Sequence, residues 1–235
     1  MLQDIQHLYD LKLSATDGDL GQVKDFYFDD QSWKIRYLVV DTGNWLPGRQ
    51  VLLSPDAFNP AAFGALNAKP GHLHVNLTRR QIEDSPSIET HLPISRQHET
   101  GYYQYYGWPV YWDAGLLDVA RPPTNAPEGM AERNLRHGQQ QQGDLHLRST
   151  KAITGYDIHA SDGLMGTVNN FLIDGKSWRI REITAETGHW FTIRTIHIPT
   201  AQITGIGYDE SAVFVDLSIA ELESAAAEDA TYSAR

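Results

Sequence analysis

Histidine supplies the first candidate chemistry in this sequence, because imidazole nitrogen is a common ligand for zinc and other transition metals. His72 and His74 are two residues apart in a segment with strand-like alternation, so both side chains would lie on one face and could share an ion. His91 and His98 are further candidates in the middle of the chain. Ten histidines in 235 residues produce some such pairings by chance. We therefore expect no bound metal and no cofactor.

Carboxylates beside glycine give a second candidate, a calcium site. Asp17 and Asp19 flank one glycine, and Asp162 precedes another. Calcium prefers carboxylate oxygens. An Asp-Gly pair is also typical of a tight hairpin turn, in which the aspartate hydrogen-bonds nearby backbone. Turn formation explains these residues sufficiently, so we expect them to be structural.

Two arginines could serve either structure or binding. Arg36 and Arg181 occupy matching places in two similar segments, each preceded by an isoleucine. Ion pairs with Asp41 and Glu186 are one expectation for them, and contact with a partner is the other. We favour the ion pairs.

Catalytic motifs are missing from the sequence. It has no G-x-S-x-G nucleophile motif, no H-E-x-x-H zinc helix, no G-x-x-x-x-G-K-[ST] phosphate-binding loop and no EF-hand spacing. With no cysteine, thiol nucleophiles, disulfides and Cys-ligated zinc are excluded. A hydrolase or lyase would need a deep pocket in which histidines and carboxylates converge. We expect no enzyme activity and name no catalytic residue.

A short aromatic-rich segment in the middle of the chain is the strongest compositional anomaly. It contains seven of the 24 aromatic residues within eleven positions: Tyr102, Tyr103, Tyr105, Tyr106, Trp108, Tyr111 and Trp112. These rings could pack over the chain's own domains, dock a partner or second copy, or stack on a base or sugar. Gly107 and Pro109 should interrupt a helix, so we expect the segment to turn or extend. The seven residues are our candidate partner-binding site.

Charge and hydropathy exclude several classes of partner. The net charge is −11, with no basic run to release counterions from phosphates, so we expect no nucleic-acid partner. No apolar run approaches the roughly 18 residues that span a bilayer, and the first residues lack the features of a secretory signal. The sequence predicts a cytoplasmic protein without membrane insertion.

An internal repeat organises the chain. The segment from Ala15 to Trp45 aligns without a gap on the segment from Ala160 to Trp190, and 14 of the 31 pairs are identical at a constant offset of 145. Two copies of about 75 to 80 residues indicate a duplication instead of a solenoid, which needs three or more stacked units. We expect each copy to close its own core.

Local patterns within each copy predict strands. An Asp-Gly turn precedes two strand-like runs, and alternation places Trp33, Ile35, Tyr37 and Val39 on one face. A short helix should follow the last strand, with Thr78 or Ser218 as its N-cap. Five or six short strands per copy favour a small, bent β-barrel.

The order of these motifs resembles the PRC-barrel family. The motifs are an Asp-Gly hairpin, a G-x-V strand, a W-[KR]-I-R strand, a TG-x-W turn and an R-x-[VI]-x-[LI] strand, present in residues 5–85 and again in 148–224. The family is named for the H subunit of the photosynthetic reaction centre and also occurs in the ribosome maturation factor RimM. The resemblance implies a small protein-binding barrel without a catalytic centre common to the family.

The complete sequence-based prediction is an all-β fold with minor helix, consisting of two small barrels in tandem. Residues 1–88 form the first barrel, 89–147 an aromatic-rich segment and Pro/Gln-rich linker, 148–224 the second barrel, and 225–235 a tail. We expect a non-enzymatic adaptor that binds a protein partner or a second copy of itself. The alternatives are an assembly factor for RNA processing or ribosome maturation, and a photosynthetic assembly component similar to the reaction-centre H subunit.

Overall fold

The computed structural model describes residues 2–47, 49–58, 72–86, 94, 96–111, 146–187, 194–222 and 224. In this part of the chain the fold is mostly β-sheet with few helices. The first copy contains β1 (Leu2–Asp4), β2 (Lys12–Ala15), β3 (Gly18–Asp29), β4 (Lys34–Asp41), β5 (Gln50–Leu53) and β6 (His72–His74). The second contains β7 (Leu147–Ser149), β8 (Asp157–Ala160), β9 (Gly163–Asp174), β10 (Arg179–Thr187), β11 (Arg194–Pro199), β12 (Ile203–Gly207) and β13 (Ala212–Val215). The α-helices are α1 (Arg79–Glu83), α2 (Arg96–Tyr106) and α3 (Thr150–Ile153), and 3₁₀ helices occupy Ile5–Leu8, Pro55–Ala57 and Thr200–Gln202.

The described strands form one open sheet. Its path runs β12-β13-β8-β9-β10-β4-β3-β2-β6 and does not close on itself. β4 and β10 join the two copies: Ile35 N donates to the Trp178 carbonyl and Ile180 N donates to the Trp33 carbonyl, both at 2.8 Å. The prediction of two closed barrels is therefore not confirmed.

The copies exchange their first strands. β1 pairs with β9 of the second copy, placing Leu2 opposite Asp174. β7 pairs with β3 of the first copy, placing Leu147 opposite Asp29. A shift of 145 converts one pair into the other, so the exchange is reciprocal, as contacts across a two-fold interface are.

One hydrophobic core serves both copies. The ring of Phe28 lies 5.9 Å from that of Phe171, and the ring of Phe58 lies 5.4 Å from that of Trp178. All four side chains belong to one continuous cluster of buried residues. The expectation that each copy closes its own core is wrong, because the exchanged strands and the β4–β10 junction turn apolar faces of both copies toward each other.

A β-bulge redirects the side chains of β4. The register shifts between its pairs with Tyr27 and Phe28, which leaves Arg36 as an extra residue. Ile35 consequently packs in the shared core, whereas Tyr37 and Val39 belong to a cluster on the other face of the sheet. The predicted alternation is wrong here, because a one-residue shift moves every later side chain to the opposite face.

The predicted helix starts are confirmed in both copies. Thr78 caps α1: its hydroxyl accepts from Gln81 N at 3.1 Å, and its own N–H donates to the Gln81 side chain at 2.8 Å. Ser218 makes the same reciprocal pair with Glu221 at 3.3 and 2.9 Å, where a further helical segment begins at Ile219. Each capping box satisfies two backbone donors that the helix leaves unpaired.

Candidate functional site

Helix α2 brings the aromatic segment onto the first copy. Tyr102 and Tyr103 are each 2% exposed and pack on the face of the sheet that carries Tyr37, Val39 and Leu52. The Tyr102 hydroxyl also donates to the Leu52 carbonyl. The segment is therefore the cover of this outer face.

The expectation that the segment turns or extends is wrong up to Tyr106, where α2 ends. Gly107 follows with φ of +69°, a conformation that glycine adopts without steric cost. Its N–H donates to the Gln104 carbonyl at 3.3 Å, and the Trp108 N–H donates to the Tyr103 carbonyl at 3.0 Å. These two bonds are the Schellman pattern, so glycine terminates the helix after the tyrosines instead of preventing it.

A buried carboxylate fixes α2 to the sheet. Glu99 is fully buried, and it accepts hydrogen bonds from the Tyr37 hydroxyl at 2.6 Å and the Tyr111 hydroxyl at 2.9 Å. The Arg36 guanidinium lies 3.8 Å above the Tyr111 ring. Two phenol hydroxyls that donate to one side chain of α2 link the helix to β4 and to the segment that follows it.

The predicted partner-binding residues do not form one open patch. Tyr102 and Tyr103 are buried and unavailable to a partner while α2 stays docked. Tyr106 and Trp108 are partly buried and stack on each other at 4.3 Å. Tyr105 alone among the described members is well exposed, at 42%, whereas Tyr111 is also partly buried. Trp112 lies outside the described residues.

Sequence comparison of the copies explains why α2 covers only the first. Tyr37, Val39 and Leu52 become Glu182, Thr184 and His197 when shifted by 145. In the second copy the His197 Nδ1 and Glu182 Oε2 atoms lie within hydrogen-bond distance, at 3.0 Å. An apolar sheet face needs a cover and a polar one does not.

Burial of four tyrosines predicts that the folded protein loses stability at high pH. Burial raises the pKa of Tyr27 and Tyr103 from about 10 to about 12, and holds the pKa of Tyr37 and Tyr102 well above that ordinary value. A raised folded-state pKa gives stability that is complete below pH 10 and is lost as pH rises through 12. We expect tyrosinate absorbance at 295 nm to rise in two steps, the later one accompanied by loss of the near-ultraviolet circular dichroism.

The matched control is the same titration in denaturant, where a single step near pH 10 is expected. A single step near pH 10 in the native protein, with unchanged circular dichroism, would contradict the burial of these tyrosines.

The candidate metal ligands form no cluster of three among the described residues. His72 and His74 are exposed on β6, and His98 is exposed on α2. His91 lies outside the described residues. Within the part of the chain that the structure describes, no three histidine, aspartate, glutamate or cysteine side chains converge as a metal site would require.

The aspartates of the hairpin turns hold helix starts. Asp17 accepts from Arg79 N at 2.7 Å, and Asp162 accepts from Ile219 N at 2.9 Å. Asp19 accepts a long bond of 3.5 Å from the Ser14 hydroxyl. The structural role is confirmed, although the bonds of Asp17 and Asp162 reach the helix after the last strand, and not the turn itself.

The two arginines pair with partners other than those predicted. Arg36 Nη2 lies 3.6 Å from Asp29 Oδ2, and Arg181 Nη2 lies 3.7 Å from Asp174 Oδ2. Each aspartate stands at the end of the strand opposite the bulge, which brings it closer than Asp41 or Glu186. Hydrogen bonds from Ser177 and from Lys176 N lower the pKa of Asp174, so it stays charged for this contact.

The second copy carries an exposed apolar feature that the repeat analysis overlooked. Leu164, His159 and Phe214 lie directly opposite one another on three adjacent strands, and we call them the outer row. Leu164 is 59% exposed and Phe214 is 38% exposed. Comparison of the copies could have found it, because the first copy has Asp19, Ser14 and His74 at the same register.

Comparison with known families decides what the first copy is. The family model described as the PRC-barrel domain matches residues 13–81. This part of the chain is a PRC-barrel domain. The match runs from β2 into the capped helix α1 and so includes the hairpin, the bulged strands and the outer face that α2 covers.

Two further findings complete the comparison. No curated protein matches the chain that carries this PRC-barrel domain. Among the described residues of the chain, no helix is long and apolar enough to cross a membrane.

Proposed function

We propose that the chain is a tandem PRC-barrel protein that acts by binding other proteins and not by catalysis. The exposed outer row on the second copy is the observation that carries this proposal. The remaining support comes from the repeat, which favours a second PRC-barrel unit in the second copy.

Matching irregularities support a second PRC-barrel unit at residues 148–224. Trp33 and Trp178 have φ of +57° and +54°, an unusual conformation for tryptophan at equivalent positions. The bulge at Arg36 recurs at Arg181, and a second shift recurs near Thr184. Bulges are specific features of a fold, so their recurrence at one offset favours common descent of the two copies.

The outer row favours a protein partner. Apolar side chains in adjacent exposed positions are typical of interfaces, and burying each of Leu164 and Phe214 fully would contribute about 1.5 to 3 kcal/mol. The His159 ring lies 5.6 Å from that of Phe214 and continues the surface. In the first copy the Ser14–Asp19 hydrogen bond occupies this place, so the repeat does not require an apolar row.

The proposal predicts that Leu164→Ser with Phe214→Ser lowers partner affinity at least about tenfold. Partners are captured from the native cell on immobilised full-length protein, identified by mass spectrometry and then titrated against each variant. Self-association is measured in parallel by sedimentation, because a second copy of the chain is among the expected partners.

Tyr105→Ser is the matched control, since it removes one ring of similar exposure outside the row. If the double variant keeps its affinity and Tyr105→Ser loses affinity, the partner binds α2 and not the outer row. Retention of every partner in both variants would refute binding through either surface.

A further inference from the structure

A cleft with a volume of about 670 Å³ lies where the two copies meet. The turn at residues 30–33 forms one wall, and parts of β7, β10 and β12 form the others. Small-molecule sites typically have volumes of roughly 300 to 1,000 Å³. The cleft is therefore large enough for an organic ligand.

The charge of the cleft is opposite to that of the protein. Its lining contains Arg148, Arg179 and Arg181 against a single carboxylate, Asp30, whereas the whole chain carries −11. A concave surface that concentrates one sign of charge raises the local concentration of oppositely charged ligands. The cleft favours anions that most of the surface repels.

The one carboxylate in the lining is already engaged. Asp30 lies 2.7 Å from Arg148 Nε and 2.9 Å from His146 Nδ1. Arg181 keeps only its 3.7 Å contact with Asp174, and its side chain is half exposed. Arg179 forms no ion pair with any residue that the structure describes. Arg179 and Arg181 are thus available to a ligand.

A second observation also points to an anion. Arg179 lies directly opposite Lys34 where β10 and β4 pair, so both cationic side chains project from the same face. Like charges in this arrangement are destabilising. A bound oxyanion would relieve the repulsion, since guanidinium groups hold phosphate and carboxylate oxygens in bidentate fashion.

Part of the cleft lining has no counterpart in the repeat. A shift of 145 replaces Arg148 by Gln3, Asp30 by Gly175 and His146 by Met1. The same junction on the opposite side therefore lacks this Arg148–Asp30–His146 group. Arg179 and Arg181 become Lys34 and Arg36 under the same shift, so both sides are basic, and the Arg148–Asp30–His146 group is what distinguishes this side.

We propose that this cleft binds a small organic anion through its phosphate or carboxylate groups, with Arg179 and Arg181 as the principal ligand-binding residues. Arg148 is held in place by Asp30 and extends the basic wall. This site shares no lining residue with the outer row, although Gly205 of the cleft lies directly opposite Phe214, and it does not depend on the protein-binding proposal.

The test is calorimetric titration of the full-length protein with pyrophosphate and with citrate, at constant ionic strength set by chloride. We expect saturable binding of one anion per chain and a rise in melting temperature, with the better probe showing whether phosphate or carboxylate is preferred. Arg179→Gln with Arg181→Gln should weaken binding at least about tenfold. Without ligand this variant should melt no lower than the native protein, because the repulsion from Lys34 is gone.

The charge-matched control is Lys12→Gln with Lys176→Gln, which removes two exposed cations elsewhere and should bind as the native protein does. Equal loss in both variants, or no saturation by either probe at 10 mM (roughly −3 kcal/mol of binding free energy), would overturn the proposal. Tighter binding of an acidic peptide or of single-stranded RNA than of either small anion would overturn the assignment to a small ligand.

Discussion

Replacing Gly21 by alanine is expected to destabilise the protein by at least about 3 kcal/mol. A Cβ at this position would overlap the backbone carbonyl oxygen of Asp41, and φ of +130° strains any other residue. The obstacle is backbone in a paired strand, so it cannot move aside as a side-chain end could. Urea unfolding of the purified variant measures the loss.

Gly166→Ala tests whether the second copy has the same constraint. Its Cβ would overlap the Glu186 carbonyl oxygen, which is the equivalent atom at the offset of 145. Gly101→Ala is the matched control, because that glycine lies inside α2 with open space around its Cβ, and the change should stabilise by about 0.5 to 1 kcal/mol. A loss below 1 kcal/mol (roughly fivefold in the unfolding equilibrium) at Gly21 would show that β3 and β4 can separate there at little cost.

Unfolding of the whole described fold should occur in one cooperative transition, to which both copies contribute. Phe28 and Phe171 come from different copies and contact each other in the shared core. Replacing either by alanine should cost about 3 to 5 kcal/mol and lower the same single transition in a calorimetric scan. The double variant should lose less than the sum, because the two rings are in contact.

Leu164→Ala serves as the control for these core changes, since that side chain is 59% exposed. It should change stability by no more than about 0.5 kcal/mol. Two separate transitions, each lowered by only one of the phenylalanine substitutions, would mean that the copies fold independently.

The strands and helix caps were predictable because their signals are local. Asp-Gly turns, alternation and the Thr78 capping box all lie within a few residues of the element that they specify. The repeat could be read because one offset relates Trp33 to Trp178. The identity of residues 13–81 as a PRC-barrel domain followed from the same motifs.

The exchange of first strands could not be predicted in this way. β1 is three residues long, and nothing in its composition distinguishes pairing with β3 from pairing with β9. The bulge at Arg36 was equally unpredictable, because one extra residue reverses which side chains of β4 face the core and no local sequence signal indicates it. Each of these features depends on contacts far apart in the chain, where local periodicity carries no information.

The sequence left open whether the aromatic segment is a cover or an interface, for a related reason. Seven clustered rings indicate burial, but composition does not say against what. The missing signal was the difference between copies: Tyr37 in place of Glu182 marks an outer face that needs a cover. The same comparison, made in the opposite direction, reveals Leu164 and Phe214 where the first copy is polar.

The exchanged strands also impose an order on biosynthesis. β1 is made first, yet its partner residues 172–174 emerge from the ribosome only about 10 to 35 s later, at roughly 5 to 20 residues per second. The nascent first copy also lacks β7 until residues 147–149 are made, and the face around Phe28 has no Phe171 to cover it until residue 171 follows. During synthesis the sheet is therefore incomplete, and part of its apolar surface is exposed to solvent. Chaperones that bind apolar surface should associate with this nascent chain until both copies have folded together.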